Sequence, residues 1–599
     1  MFSAHHFHIP VMGLGFTVDS PIKVAKYGIS SVVSIMDDQL LEDMRRRYSR
    51  ELTIPYIAIN EKEEDCRAKR IEAYLDLLHY IIQRQMRELN GQDFGLDKEI
   101  NQYFDLLPMG HPAAKLYLKM KNAAGFEKLD LQEELRKFLV PGRTDVNIMT
   151  KVDKTNYARS GEALGREYSD ALSALRGFAK SKLEGGLVFS AGMNPSLYSY
   201  LEEFEAFFPD KEGVIRKPVI LKVSDYRSAL IQGKFLAKKG IWVSEFRIES
   251  GLNCGGHAFA TDGLLAGPIL DAFKENRKEL GLTLHQMCQE ALIQKGMNVL
   301  PEGIQNKVTY QGGIGNAEEN RFLMDYYQLD GTGWGSPFLL VPEATSVDED
   351  TLQRILKAKK SDFYLSHASP LGIPFNNLRN SSAEEQRKSR IEKGRPGSPC
   401  YKKFLSFNTD FTEKPICTAS RQYQNLKVKQ YANGEISKEE VDAVLEKDCL
   451  CEGLSAPAIL SGGEMPRRNL KAVTICPGPN LAYFKGVFSL MEMVDHIYGK
   501  VALKLDAERP HVFIKELQLY MQHLKTEIDN KVLETNKKQQ LYLDKFRRNL
   551  FEGIDYYQRL VENFSLDTAS TMEKFKAQLN GLKRDLEMLD SEPMMVGKT

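Results

Sequence analysis

Short apolar segments recur along residues 1–345, and most are followed by a stretch whose apolar positions lie three and four residues apart. Continuous apolar runs rich in Val and Ile predict strands buried on both faces, and the longer spacing predicts helices. The predicted strands are HIPVMGLGF, ISSVVSIM, DVNIMTKV, GLVFSAG, PVILKV, GIWVSEFRI, KVTYQGG and GTGWGSPFLLV. Eight strands alternating with helices predict an α/β protein built on a (β/α)8 TIM barrel.

This barrel is predicted to be interrupted once and followed by two further regions. Residues 1–60 and 141–345 form its two parts, and residues 61–140 carry the patterning of an inserted helical subdomain, either a lid over one mouth of the barrel or a packing addition. Residues 346–480 form a cysteine-bearing module that opens with a long polar loop. Residues 481–599 form a helical C-terminal region, with one long helix over residues 511–564 and a shorter one after it. Their apolar faces pack on the chain itself or on a second copy, which is the basis for expecting a homo-oligomer.

Composition narrows the class of protein. The chain has 599 residues, with 81 Lys and Arg against 81 Asp and Glu, so its balanced charge gives no reason to expect nucleic acid or a membrane as partner. No apolar run is long enough to span a bilayer, and the N-terminus lacks the basic segment of a signal peptide. The 8 cysteines do not suggest a secreted disulfide scaffold at this length. These features predict a cytoplasmic protein.

Glycines cluster at the ends of several predicted strands. A phosphate can approach the backbone closely only where there is no Cβ, so such turns are candidate phosphate sites. The seventh predicted strand ends in Gly312 and Gly313, and the eighth leads into Gly335 and Ser336. Because strands seven and eight are neighbours in a barrel, the two turns converge and predict a phosphate cradle at the carboxyl face.

The sixth strand end carries the most distinctive motif. Ser250-Gly-Leu-Asn-Cys-Gly-Gly-His257 resembles the Gln-Gly-x-Glu-Ala-Gly-Gly-His element of the flavin-dependent nitronate monooxygenase (2-nitropropane dioxygenase) and enoyl-acyl-carrier-protein reductase superfamily. The stretches GGI at 312–314 and WGSPFL at 334–339 resemble the family's next two strand ends, and PVMGLGFTVDSPIKVAKYGI, DVNIM and VFSAGMNP resemble its earlier strands. The resemblance covers residues 8–345 without the insertion.

The resemblance implies bound FMN, with its phosphate at the glycine turns of strands seven and eight. Met12, Gly13 and Asn147 would lie against the ring, and His257 would act as acid or base beside it or be a structural histidine. Lys151 and Lys222 would stabilise the negative charge of reduced flavin or simply be solvated. The predicted cofactor-binding residues are Met12, Gly13, Asn147, Lys151, Lys222, Ser250, Gly255, Gly256, Gly312, Gly313, Gly315, Gly335 and Ser336.

The motif also departs from the family pattern. Ser250 and Asn253 replace the family's Gln and Glu, so a polar or acidic contact to flavin or substrate is lost. Cys254 replaces a small residue near the predicted flavin, as a reactive thiol or as a small apolar filler.

Five cysteines follow the predicted barrel: Cys400, Cys417, Cys449, Cys451 and Cys476. Thiols gathered in a reducing compartment suggest a metal site, and several lie beside Pro or Gly, which leaves backbone N–H groups free to point at sulfur. Four of them predict an iron–sulfur cluster of the [4Fe–4S] type, and the Cys-Pro at 476 is similar to ferredoxin ligation. The spacing matches no standard run. Structural zinc and unligated thiols remain as alternatives, and Cys449 and Cys451 are the pair least expected to serve together.

Together these features predict an FMN-dependent oxidoreductase that acts on a carbon acid, a nitronate or an enoyl-type substrate, with His257 moving a proton. Two alternatives stay open. One is an enoyl reductase on carrier-bound acyl chains, whose C-terminal helices dock the carrier. The other is a catalytically inactive flavin-binding assembly subunit, which the replacements at Ser250 and Asn253 suggest. Since no Gly-x-Gly-x-x-Gly fingerprint is present, the reductant is loosely bound NAD(P)H or an electron-carrier protein.

Overall fold

The computed structural model describes residues 4–149, 152–157, 160–190, 192–258, 262–468, 471–529, 537–563 and 569–591. Within these ranges eight parallel strands close into a barrel in sequence order, with the first strand paired to the eighth. The predicted (β/α)8 fold is confirmed, and each of the eight apolar runs overlaps one of its strands. The strands are β1 (Phe7–Ile9), β2 (Ser30–Ser34), β3 (Thr144–Ile148), β4 (Leu187–Phe189), β5 (Val219–Val223), β6 (Val243–Glu249), β7 (Lys307–Gln311) and β8 (Gly331–Gly333).

Helices surround the barrel and form most of the remaining described chain. Those up to the end of the barrel are α1 (Ser20–Val24), α2 (Asp38–Glu51), α3 (Cys66–Asn90), α4 (Glu99–Asp105), α5 (Pro112–Asn122), α6 (Gly125–Arg136), α7 (Asp170–Lys180), α8 (Pro195–Tyr200), α9 (Tyr226–Ala237), α10 (Ala266–Gln294) and α11 (Ala317–Tyr326). Those after it are α12 (Glu349–Lys357), α13 (Ser382–Glu392), α14 (Arg421–Ala432), α15 (Lys438–Leu445), α16 (Leu450–Gly453), α17 (Ala456–Ser461), α18 (Leu490–Tyr498), α19 (Val512–Asp529), α20 (Lys537–Asn563) and α21 (Ala569–Ser591). An antiparallel pair, β9 (Phe363–Ser366) and β10 (Phe375–Leu378), follows α12.

Polar residues just after the strands start several barrel helices. The side chains of Asp37, Ser169, Asp225 and Asn316 each accept a hydrogen bond from a backbone N–H in the first turn of α2, α7, α9 and α11. Such N-caps satisfy donors that the helix itself leaves unpaired. The local sequence therefore sets where these four helices begin.

The barrel interior is ion-paired rather than purely apolar. The guanidinium of Arg247, 2% exposed, lies 2.7 Å from Glu245 and 3.2 Å from Asp145. Arg143 reaches the same two carboxylates at 2.9 and 2.7 Å. Burial alone would raise the pKa of Glu245, but the two guanidiniums hold it well below its usual range. This network forms a charged floor beneath the carboxyl ends of the strands.

The helical insertion runs along the side of the barrel: α3 packs against α2 and α7, and Arg67 at its start donates to the carbonyl of Met36, just after β2, at 2.6 Å. The next helix, α4, lies at the other end, where the strands begin. Tyr103 of α4 accepts a hydrogen bond from the N–H of Val140 at 3.1 Å and abuts Gly28, just before β2. Glu99 pairs with Lys26 in the same place. The insertion therefore reaches both ends of the barrel, and its two interpretations, a lid over one mouth or a packing addition, both stay predictions.

Two predictions for the regions after the barrel also need correction. The predicted long polar loop contains β10 and α13, and Ser381 caps α13 by accepting from the N–H of Glu384 at 3.3 Å. The sequence of α13 is polar on nearly all sides, so it shows no apolar stripe. The predicted long C-terminal helix is described as two helices, α19 and α20, with residues 530–536 outside the described chain. Both pack against α10 and α21 or one another.

In the described parts of the chain, no helix combines the length and the apolar composition that crossing a membrane requires.

Candidate functional site

A cavity of about 200 Å³ opens at the carboxyl ends of the barrel strands. Its polar wall comes from the last residues of neighbouring strands: Ser34 of β2, Asn147 of β3, Lys222 of β5, Glu249 of β6 and Gln311 of β7. In (β/α)8 barrels this face carries the active site. The cavity therefore lies where the fold places chemistry.

A chain of hydrogen bonds crosses the polar wall. The carboxylate of Glu249 accepts from Lys222 Nζ at 2.8 Å and from Gln311 Nε2 at 2.7 Å. The other end of that amide, Gln311 Oε1, lies 3.3 Å from His8 Nε2. Burial and the nearby Arg247 lower the pKa of His8 to about 3, so its imidazole is neutral and donates to the amide oxygen. Glu249 is thus a carboxylate with a fixed orientation on the cavity wall.

His257 lies on the same wall and is held by the segment after the barrel. Its Nε2 lies 2.7 Å from the hydroxyl of Ser369, and its ring packs edge-to-face on Phe375 with centroids 5.2 Å apart. A backbone bridge joins His257 to Phe375 in β10. An imidazole that is half-buried, oriented and open to the cavity is placed to transfer a proton.

The cover of the cavity comes from the region that follows the barrel. It is made of the apolar residues Phe375, Phe404, Leu405, Leu450 and Leu454, with Cys451 and Cys476 beside them. The polar groups on the strand ends thus face an apolar roof, the usual composition of a small-molecule site.

Two side-chain oxygens on the wall have no partner. Asn147 Oδ1 and Ser190 Oγ are buried, line the cavity and make no hydrogen bond to the described parts of the chain. Leaving such an oxygen unsatisfied costs about 1–3 kcal/mol. Both are therefore positioned to bond a ligand.

Six of the predicted catalytic and cofactor-binding residues meet on the cavity wall: Gly13, Asn147, Lys222, Gly255, Gly256 and His257. Seven others do not line it: Met12, Ser250, Gly312, Gly313, Gly315, Gly335 and Ser336. Lys151 lies outside the described residues. The sequence analysis missed Glu249, Gln311, Ser190 and Arg247. Gln311 comes directly before Gly312 and Glu249 two residues before Gly251, each as the last residue of its strand, and that position is the signal that could have identified them.

The predicted phosphate cradle is filled by the chain itself. Arg509 Nη2 donates to the carbonyl of Gly313 at 2.8 Å, and a Cβ on Gly315 would stand 2.2 Å from the Arg509 guanidinium carbon. Asn480 donates to the carbonyl of Ile314 at 2.7 Å. Protein atoms thus stand close to the position predicted for the phosphate.

The same is true at the end of β8. The hydroxyl of Ser336 accepts from the N–H of Gly478 at 2.7 Å and donates to the carbonyl of Cys254 at 3.0 Å. A Cβ on Gly335 would stand 2.6 Å from the Cβ of Cys254. Close packing of protein on protein accounts for this glycine.

The five cysteines do not form one group. Cys400, Cys417, Cys449 and Cys451 interact electrostatically with one another, and the Cys417 thiol hydrogen-bonds the Cys400 sulfur. Cys476 takes no part in these interactions; like Cys451 it lines the cavity, and its carbonyl accepts from the N–H of Gly256 at 3.0 Å. Across the described ranges, no three or more His, Cys, Asp and Glu side chains are arranged to hold a metal ion. The iron–sulfur and zinc predictions are therefore not supported.

Comparison with known proteins adds little. No family model matches the chain, and no curated protein matches it. Among solved structures, it is similar to a nitroalkane oxidase from Streptomyces ansochromogenes, at 9% identity and a TM-score of 0.33, over 82% of this chain and 94% of that one. A likeness at this level carries no weight for the activity, and the fold follows from the closed barrel itself.

Proposed function

We propose that the chain is a flavin-dependent oxidoreductase whose cavity holds the isoalloxazine ring. The observation that supports it is the pair of unpartnered oxygens, Asn147 Oδ1 and Ser190 Oγ, in a cleft with an apolar roof. A flat heteroaromatic ring with one polar edge suits such a cleft, because its faces meet apolar side chains while its edge meets the polar wall.

The residues present fit the ring of FMN but not its phosphate. Asn147 Oδ1 would accept from the ring N–H, and Lys222 would donate to the ring oxygens and stabilise negative charge. The glycine turns predicted for the phosphate are occupied by Arg509 and Gly478. When bound, the flavin supplies hydride or electron exchange.

Protons would be moved by His257 and Glu249. His257 is oriented by Ser369, and Glu249 by Lys222 and Gln311. Two acid–base groups on the wall of one cleft suit a substrate that loses or gains a proton at carbon, which is the class of carbon acids, nitronates and enoyl compounds.

Titration with lumiflavin, which is the ring system without ribityl or phosphate, tests the proposal through its absorbance and fluorescence quenching. Asn147→Leu should weaken binding about tenfold, the value of one hydrogen bond. Thr144→Val is the matched control, because Thr144 Oγ1 is also buried and unpartnered on β3 but does not line the cavity. A protein that binds no isoalloxazine, or an equal loss in both variants, would overturn the proposal.

A further inference from the structure

The glycine turns after β7 and β8 are occupied by the segment 476–512 of the same chain. Gly255 forms a backbone bridge with Pro477, and the hydroxyl of Ser336 accepts from the N–H of Gly478. Arg509 donates to the carbonyl of Gly313, and Asn480 donates to the carbonyl of Ile314. This segment lies where a barrel of this kind would present backbone N–H groups to a phosphate.

The electrostatics of the turns oppose an anion. Glu319 and Arg509 form an ion pair at 2.7 Å, with side chains only 4% and 6% exposed. Glu319 also accepts from the N–H of Gly315 at 2.9 Å and from the N–H of Val512 at 2.9 Å. Burial alone would raise the pKa of Glu319, but Arg509 holds it below the usual range, so the carboxylate is ionised. A phosphate at these N–H groups would face that negative charge.

The cavity offers no substitute anchor among its described residues. Its charged side chains are Lys222, Arg247, Glu249 and Asp170, two positive and two negative. Lys222 is paired with Glu249, and Arg247 with the carboxylates of the barrel floor. A dianion there would compete with existing ion pairs rather than neutralise a free positive charge.

We infer that these glycine turns are the docking seat of segment 476–512 and that the cavity recognises a planar heteroaromatic ligand by its ring, without using a phosphate. The ligand half of this inference rests on the proposed function, and the docking half does not. Riboflavin is the probe for the ring with its polyol chain, and FMN for the same molecule with a phosphate.

Dissociation constants of riboflavin and FMN, measured by fluorescence quenching on the full chain, test the ligand half. They should agree within about threefold, whereas a cradle of two charge-assisted hydrogen bonds would favour FMN by roughly 100-fold or more. Glu319→Gln removes the carboxylate but leaves the ratio unchanged if no phosphate binds there. A preference for FMN above about 30-fold, or an increase of it in Glu319→Gln, overturns the inference.

Hydrogen exchange and inorganic phosphate test the docking half without any flavin. Arg509→Met should raise the rate of amide hydrogen exchange in residues 312–319 and 512–524 at least tenfold, and Glu319→Gln should raise it in the same segments. The control is Lys525→Met, which removes an exposed cation on α19 and should leave these rates unchanged. Inorganic phosphate should raise the melting temperature of the wild type and of Arg509→Met by the same amount, as expected of a salt that is excluded from the protein surface. Unchanged exchange in both seat variants, or a phosphate-specific shift lost in Arg509→Met, overturns the inference. If neither flavin binds, the proposed function fails, and these two measurements still decide the seat.

Discussion

Glu516 is the side chain whose replacement most directly tests how the C-terminal region is attached to the barrel. It belongs to α19, is 1% exposed, and receives three hydrogen bonds at the strand end that carries the glycine–histidine motif. Its Oε1 accepts from the hydroxyl of Ser250 at 3.0 Å and the N–H of Gly251 at 2.9 Å, and its Oε2 accepts from the N–H of Ala266 at 2.7 Å. Ser250, predicted to contact a cofactor, instead holds this helix.

The magnitude follows from counting acceptors. In Glu516→Gln the side chain keeps one acceptor oxygen, and its NH2 group faces a donor that has lost its partner. One unsatisfied buried donor costs about 1–3 kcal/mol, part of which is offset because burial raises the pKa of Glu516 and makes its ionised form costly. The free energy needed to open α19 should fall by up to about 1–3 kcal/mol, so the protection of its amides from exchange should drop by up to about 5- to 150-fold. Glu516→Ala loses every acceptor and should drop further.

Hydrogen-exchange mass spectrometry of residues 514–524 measures this directly, because it reports local opening without unfolding the barrel. Asp529→Asn is the matched control: it makes the same acid-to-amide change at an exposed position of the same helix. Protection in Glu516→Gln equal to that in Asp529→Asn would refute the reasoning, and so would protection in Glu516→Ala no lower than in Glu516→Gln.

The remaining predictions concern catalysis, acid stability and thiol reactivity. With propyl nitronate or crotonyl-CoA as probe, His257→Ala and Glu249→Gln should each slow flavin reduction or reoxidation by roughly 10²–10⁴-fold, while the affinity for lumiflavin changes less than threefold. A wild-type rate in either variant would show that the replaced residue does not transfer the proton. Burial lowers the pKa of His8 from 6.5 to about 3, so between these pH values the unfolded chain binds more protons than the folded chain, and the free energy of unfolding falls as the pH drops. At pH 5 this histidine should lower the free energy of unfolding by about 2 kcal/mol. His8→Gln should therefore reduce the difference between the urea midpoints at pH 7 and pH 5. The hydrogen bond from the Cys417 thiol lowers the pKa of Cys400 to about 7, so the rate of its alkylation by iodoacetamide should be half-maximal near pH 7. Cys400→Ser should abolish this fast alkylation. Cys288→Ser should not, because burial raises the pKa of the Cys288 thiol to about 12.

Several site residues could be placed from the sequence because barrel geometry turns a local position into a spatial one. Lys222 and the motif that ends in His257 lie at or after the end of a predicted strand, and in a closed parallel barrel all strand ends meet at one face. Asn147 was implied by the family resemblance. The same rule applies to Glu249 and Gln311, which end their strands, but the glycine turns that follow them are the more conspicuous feature of the sequence.

The roof of the cavity could not be predicted in the same way. Phe375, Phe404 and Leu450 lie far along the chain from the strands they cover, in segments with no periodic pattern that points to a partner. The separation of Cys476 from the other four cysteines has the same origin, because a backbone contact with Gly256 holds it at the cavity.

The sequence by itself determined the eight strands, their order and the face on which the site lies. Burial of a short strand on both sides requires a continuous apolar run, and that requirement is visible in a few consecutive residues. Only the tertiary structure decided what the glycine turns hold. A glycine has no Cβ, so either a phosphate or another part of the chain can approach its backbone closely. Which of them does so depends on contacts between segments far apart in the sequence. Gly313 is contacted by Arg509, 196 residues away.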